Sequence, residues 1–278
     1  MMVVRLGKSG RKNRWCRVFL LGGILAVQGC VSAGSGQEFS DAEKSQTPRE
    51  GAFEEHNEAL LKVTENYMGL IDLYKKQMGQ VGDNDIQTSD KYRIQIAEAY
   101  VHMEDYESAL FHLESVNEHK SGSAEYFLLK SKALLASGER DLALQAVVTA
   151  YGFDSKTPQV FNQLGRVQAA KGNYQAARRH FEKARKELLD DMVVQNNLAM
   201  LDILEGNYHN AAKRLLTFFK TGRADDQVKS NLAFSLAKSG RYQDFVSLFG
   251  AGKKEEERLA LFQALAGSQA IHEGFQGE

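Results

Sequence analysis

The chain has 278 residues, with 35 basic and 36 acidic side chains and two cysteines, Cys16 and Cys30. Beyond Cys30 there is no thiol to pair, so the body of the chain rests on packing alone. It also carries no concentrated basic face there, which argues against a nucleic-acid binder.

The first element reads as an export signal. Arg5, Lys8, Arg11, Lys12, Arg14 and Arg17 stand without an acidic neighbour, and an apolar run from Val18 to Val27 follows. A basic start, a short apolar stretch and a small residue before the cut define such a signal. The run is too short to span a bilayer as a mature helix. Val27-Gln28-Gly29-Cys30 resembles the lipobox of bacterial lipoproteins. The resemblance implies removal of residues 1–29 by cleavage between Gly29 and Cys30, with acylation of Cys30 on its thiol and amine. The absence of Asp at Val31 implies, by the same family rule, release to the outer membrane. An ordinary secretory signal cleaved elsewhere is the alternative. Three acyl chains anchor stably, where one is marginal. No cofactor is expected beyond this covalent lipid. Loss of residues 1–29 removes six basic residues and no acidic one, leaving 29 against 36 and a net charge of −7.

Residues 30–51, rich in Ser, Gly, Gln and Glu, read as a flexible tether. About twenty such residues average roughly 25 Å end to end. Residues 52–82 keep helical spacing, with Leu60, Val63, Tyr67, Ile71, Tyr74 and Met78 on one stripe. That stripe suits an N-terminal helix packed on the next element, or a coiled-coil seam for a partner or a second copy. Asp83 and Asp85 lack the glycine and distal glutamate of a calcium loop, so residues 82–88 read as a linker.

From Asp90 the chain repeats every 34 residues in five units: 90–123, 124–157, 158–191, 192–225 and 226–259. The residue before each unit, Ser89, Ser123, Thr157, Asp191 and Asp225, is of the helix-capping type. The eighth column holds Ala97, Ser131, Gly165, Ala199 and Ala233, and the twentieth holds Ala109, Ala143, Ala177, Ala211 and Phe245. Small residues there let two antiparallel helices cross closely. The fifteenth column holds Glu104, Gly138, Gly172, Gly206 and Gly240, and glycine there supplies the left-handed residue that ends the first helix. Tyr106, Arg140, Tyr174, Tyr208 and Tyr242 follow two positions later and cover the turn.

This register resembles the tetratricopeptide repeat (TPR) family over residues 90–249. The resemblance implies an all-α superhelical solenoid of antiparallel helix pairs with terminal capping helices, a fold that typically holds other proteins. Lys130 and Arg140 replace an apolar and an aromatic residue, so the second unit should be the most loosely packed. Phe245 in an alanine column should splay the last pair. Residues 260–274, through Leu261, Phe262 and Leu265, are the expected C-terminal capping helix.

Catalytic chemistry does not emerge. Of His56, His102, His112, His119, His180, His209 and His272, none forms an i, i+4 metal pair. His112 and His180 each stand two residues before a glutamate, a spacing that does not share a helix face. The chain is read as no enzyme, with no metal site. An enzyme is the alternative of a different class. The candidate site is the concave wall, built in TPRs from the second, fifth, ninth and twelfth positions of each first helix. Asn162, Arg166, Asn196, Met200, Ile203, Ser230 and Phe234 fall there. Two amides, a cation and apolar groups suit an extended peptide. The amides, like Asn197 and Asn231 beside them, equally suit packing between repeats. Met200, Ile203 and Phe234 need a ligand or the C-terminal helix to cover them.

The stretches NNLAMLDILEGNYHNAAKRLL (196–216) and SNLAFSLAKSGRYQDF (230–245), with lipobox and tether, resemble the TadD lipoproteins of Flp-type tight-adherence pilus systems. That resemblance implies a pilotin-like role at the periplasmic face of the outer membrane, with a secretin or another pilus component as partner. A type IV pilus pilotin is one alternative. A periplasmic adaptor for cell-wall hydrolases or outer-membrane assembly is another.

Overall fold

The computed structural model describes residues 48–269, so the export signal, Cys30, most of the tether and residues 270–274 lie outside the described residues. Among the described residues there are fourteen helices and no strand. In chain order they are α1 (Pro48–Val63), α2 (Tyr67–Met78), α3 (Ile86–His102), α4 (Tyr106–Glu114) and the single-turn α5 (Glu118–Ser121). Then come α6 (Ala124–Ala136), α7 (Arg140–Phe153), α8 (Pro158–Ala170), α9 (Tyr174–Lys186) and α10 (Asp191–Leu204). The last are α11 (Tyr208–Lys220), α12 (Asp226–Lys238), α13 (Tyr242–Phe249) and α14 (Glu255–Gly267). Helices pack on their chain neighbours, save that α5 packs on α3 and α4 packs past it on α6, and the first helices also pack on one another: α3 on α6, α6 on α8, α8 on α10, α10 on α12. The result is the one-dimensional TPR stack that the 34-residue register implies. No helix among the described residues is long and apolar enough to cross a membrane.

The hairpin turns carry the repeat. Gly138, Gly172, Gly206 and Gly240 have φ between +72° and +86°. The next residue returns its N–H to a carbonyl of the last helical turn, as Asn173 does to Gln168 and Arg241 to Leu236, both at 2.9 Å. Helix-end carbonyls are thereby satisfied. Glu104 adopts the same conformation at φ +60°, with Asp105 bonded to Tyr100 at 3.0 Å. Glu65 adopts it again at φ +52°, with Asn66 bonded to Leu61 at 2.9 Å.

That last turn corrects the reading of residues 52–82. They are not one apolar stripe but an extra helix pair, α1 and α2, beginning at Pro48 and folded at Glu65. Ile71 and Tyr74 are 1% and 2% exposed, while Leu60 and Val63 are 54% and 83% exposed. The fold breaks the stripe because a left-handed residue cannot continue a helix. Glu65-Asn66-Tyr67 matches Glu104-Asp105-Tyr106, but glutamate conceals the glycine column and the linker before Asp85 shifts the spacing.

Close crossing explains the small columns. A Cβ added at Gly165 would lie 2.5 Å from the Phe181 ring, so only glycine fits where α8 meets α9. Ala109, Ala143, Ala177 and Ala211 are all fully buried. The second unit is not the loosest. Tyr126, Phe127, Leu128, Leu129, Ala133, Leu134 and Leu135 of α6 are buried, and Lys130 is absorbed by an ion pair with Glu118 and a place over the Tyr126 ring. Phe245 is fully buried too, its ring 5.4 Å from that of Phe262 and 5.6 Å from that of Phe249, filling the space that α13, only eight residues long, leaves beside α14.

Two of the expected caps move. Asp85, not Ser89, caps α3 by accepting from the Thr88 N–H at 3.0 Å. Asp190, not Asp191, caps α10 by accepting from Met192 at 2.8 Å. In each case the helix starts before the repeat boundary, because an earlier acidic side chain reaches its unpaired N–H groups. Ser123 and Asp225 accept from Tyr126 and Val228, whereas Thr157 precedes Pro158 without a side-chain cap bond. Helix α14 occupies 255–267 and packs on α12 and α13.

Candidate protein-binding groove

The first helices of successive pairs wall a groove of about 590 Å³. Glu104 and Tyr106 stand at the α3–α4 turn, Leu135, Asn162, Arg166 and Ala169 lie along α6 and α8, and Met192, Val193, Asn197 and Met200 come from α10. Asp225, Gln227 and Val228 add the start of α12. His102 also faces the groove, its ring stacked on Tyr67 with centroids 4.8 Å apart.

Arg166 is held in place by a chain of buried hydrogen bonds. Ser131 donates its hydroxyl to the Ala143 carbonyl at 2.8 Å. Gln163 donates to Ser131 Oγ at 3.2 Å, and Arg166 Nη1 donates to Gln163 Oε1 at 3.2 Å. Satisfied chains of this kind fix geometry. Arg166 makes no ion pair among the described residues. Other arginines do: Arg178 and Arg214 close on the buried Asp202 carboxylate at 3.0 Å and 2.6 Å. Burial pushes the Arg166 guanidinium below its ordinary value, with only the Tyr106 hydroxyl opposing. Lys132, in the same column one unit earlier, is pushed down by burial and by Arg166, while Glu98 and Glu125 oppose. Desolvation that outweighs the nearby opposing charge has this effect on a cation.

The amides are committed elsewhere. Asn197 donates to Asn162 at 2.7 Å, and Asn231 donates to Asn196 at 2.9 Å, both across consecutive repeats. They form rungs between neighbouring first helices rather than a row of open donors. Asn196 and Asn231 are buried.

Three other expected wall residues do not line the groove. Ile203 and Phe234 are 2% and 1% exposed and belong to one buried cluster with Leu232 and Leu236. Phe234 meets Tyr208 edge-on at 6.0 Å. Helix α14 packs on α12, so the ninth column becomes core at this end of the stack. Ser230 is exposed and turns its hydroxyl back to the Asp226 carbonyl at 2.7 Å. Asn162, Arg166, Asn196 and Met200 do line the groove. Glu104, Tyr106 and Asp225 were missed, since they lie at helix ends outside the four wall columns; Gln227 stands in the second-position column and was not singled out. Gln163 and Ser131 were missed because they act behind the wall.

His112 and His180 are half-buried, and burial is the largest cause holding both below the ordinary histidine value, with nearby cations adding to it. His112 stacks on Tyr100 with centroids 5.6 Å apart. Among the described residues no group of three or more His, Cys, Asp or Glu is placed to hold a metal ion.

No family profile matches the chain, and no curated protein matches it. Solved structures do. Pseudomonas aeruginosa PilF aligns with a TM-score of 0.51 at 21% identity, over 66% of this chain and 85% of that one. The APC/C hetero-tetramer Cut9–Hcn1 gives a TM-score of 0.51 at 15% identity, over 78% of this chain and 46% of that one. MamA aligns at 17% identity with a TM-score of 0.43, over 66% of this chain and 95% of that one. The fold is a TPR solenoid. At these identities the similarity speaks for architecture.

Proposed function

We propose that the chain is a lipid-anchored TPR scaffold that assists assembly or localisation of a Flp/Tad-type pilus machine from the periplasmic face of the outer membrane. The observation that carries the scaffold part is the groove. It is open, walled by five successive first helices, and offers one positioned cation beside the apolar side chains of Met192, Val193 and Met200. Such a surface suits a polypeptide better than a reaction, for it brings together no nucleophile and base. The TadD-like stretches at 196–216 and 230–245 support the pilus part, and the lipobox ending in Cys30 supports the anchor. Crosslinking followed by recovery of the native protein tests it. A secretin or another pilus component is the expected catch, whereas cell-wall hydrolases would favour the periplasmic adaptor. Replacing Cys30 with serine is expected to release the protein from the membrane fraction, and retention there would remove the anchor.

A further inference from the structure

We infer that the convex back of the stack, formed by the second helices α7, α9 and α11, rests on an anionic phospholipid surface. This face lies opposite the groove and acts whatever the groove holds. The twenty-second, twenty-sixth and twenty-ninth columns are exposed on all three helices. On α9 they hold Arg179, Lys183 and Lys186, and on α11 Lys213, Thr217 and Lys220. Together α9 and α11 carry eight Lys and Arg but a single acid, Glu182. Folding thus gathers a basic strip where the sequence suggested none, because acids on other helices mask it in a linear reading. The five cations of these columns make no ion pair among the described residues, whereas Arg178 and Arg185 beside them are paired with Asp202 and Asp191. Lys183 is held instead over the rings of Phe161 and Tyr151, at 4.2 Å and 5.8 Å. Glu182 and Glu187 are half-buried, and Asp154 accepts from the Lys156 N–H and the Thr157 hydroxyl of its own loop.

Helix α7 adds bare apolar surface. It fills the same columns with Gln145, Thr149 and Gly152, and no residue from Leu142 to Phe153 is charged. Leu142 and Val148 are exposed, and Phe153 is 57% exposed although its ring stacks on Phe127 with centroids 5.6 Å apart. Leu188, just past α9, is 90% exposed and holds φ +69°, in the column where Gly222 holds +71° one unit later. Left-handed backbone is unfavourable for a branched side chain, and the folded chain does not repay it by burial. Cations and apolar groups side by side call for a counterpart with both anions and hydrocarbon, which phospholipid supplies and a polynucleotide does not. A convex back also encloses nothing, so it suits a broad surface rather than a segment. The lipid-anchor reading, which this contact does not need, keeps such a surface near. About eighteen residues separate Cys30 from Pro48, and they reach at most about 65 Å.

The test places the full chain with vesicles of phosphatidylcholine, with or without phosphatidylglycerol, all containing brominated lipid. Phe153→Trp and Leu259→Trp, the latter on α14, report contact by quenching, with the unsubstituted chain as the blank for Trp15. Quenching is expected for Phe153→Trp in anionic vesicles alone, and for Leu259→Trp in neither. Adding Arg179→Gln and Lys186→Gln should lower the docked-to-free ratio about fivefold per cation, whereas Lys229→Gln, exposed on α12, should leave it unchanged. Equal quenching at the two positions, or in the two kinds of vesicle, overturns the lipid contact and leaves the anchor standing. Flotation with anionic vesicles alone supports the contact and removes the anchor, and flotation with neither removes both. As a second measurement, a benzophenone side chain in place of Val148 should label phospholipid in the cell's own membranes. A protein adduct there overturns the assignment.

Discussion

The Lys238 ammonium, in the last turn of α12, donates to the Ala266 carbonyl at 3.0 Å and thereby clasps the end of α14. It donates to the Ser268 carbonyl as well, at 2.9 Å, and lies 5.8 Å from the ring centroids of both Tyr208 and Phe234. A cation suits the unpaired carbonyls at a helix C-terminus. Removing it in Lys238→Met should cost about 1–2 kcal/mol. The loss should be local, because each element of a solenoid contacts only its neighbours. Hydrogen exchange should therefore quicken in α14 and stay unchanged in α8. Equal protection of α14 in both proteins would dismiss the clasp.

The turn column offers a gain rather than a loss. Glu104 holds φ +60°, a region that costs a residue with a side chain about 1–2 kcal/mol. Glu104→Gly should raise stability by about 0.5–1 kcal/mol, since the greater freedom of unfolded glycine offsets part of the relief. The mirror experiment is Gly172→Ala. A Cβ there meets nothing within 4 Å, so its expected loss of about 1 kcal/mol comes from the backbone alone. Urea midpoints that move in the same direction for both variants would refute this account.

At Gly165 the obstacle is space. An added Cβ falls 2.5 Å from the Phe181 ring, so Gly165→Ala should destabilise by about 1–3 kcal/mol through overpacking. Shrinking the ring in Phe181→Leu should recover part of that loss in the double variant. Additive losses in the double-mutant cycle would show that the two positions do not press on each other.

These columns show what could be read from one chain. Caps, small crossings and turn glycines are local requirements, and local requirements leave residue types behind at fixed spacing. The α1–α2 pair left fewer, since Glu65 stands in place of glycine and the following linker is longer. The groove was half legible. Asn162, Arg166, Asn196 and Met200 stand where TPR columns place them. Phe234 and Ile203 also fall in wall columns yet are buried: α14 seats on α12, which carries Phe234, and Ile203 on α10 packs into the cluster shared with α11 and α12, tertiary events with no periodic mark. Which amide bonds to which, and which arginine lacks an acid, depends on distances between repeats that no single repeat encodes.

Met200 is half-buried on the groove wall shared with Arg166. Met200→Glu sets a carboxylate on an apolar stretch and offers the guanidinium a competing partner. Partner recovery in the crosslinking experiment should be abolished, with far-ultraviolet circular dichroism unchanged. Undiminished recovery would take this wall out of consideration.

Acid should loosen the stack through His112 and His180. Burial holds both below the ordinary value of 6.5 in the folded chain. As pH falls through about 6.5, the unfolded chain binds protons first, and stability declines until the lowered folded values are reached. Above that window the two imidazoles are neutral in both states and contribute no slope. Melting temperature should therefore drop on going from neutral to mildly acidic buffer, and His112→Gln should flatten the drop. A rise on acidification would reverse the sign and refute the assignment.

The paired asparagines have a mechanical consequence. Asn162–Asn197 and Asn196–Asn231 bolt the third, fourth and fifth units together close to the groove floor, with directional bonds that resist sliding. In the first two units the corresponding columns hold Ile94, Gln95, Leu128 and Leu129, and the directional bonds come from other positions: Tyr126 donates to the Leu113 carbonyl at 3.1 Å, and Gln163 to Ser131 at 3.2 Å. Every joint from the first unit to the fifth thus carries a directional bond, so a tug arriving from the N-terminal end is handed along the stack as along a stiff rod.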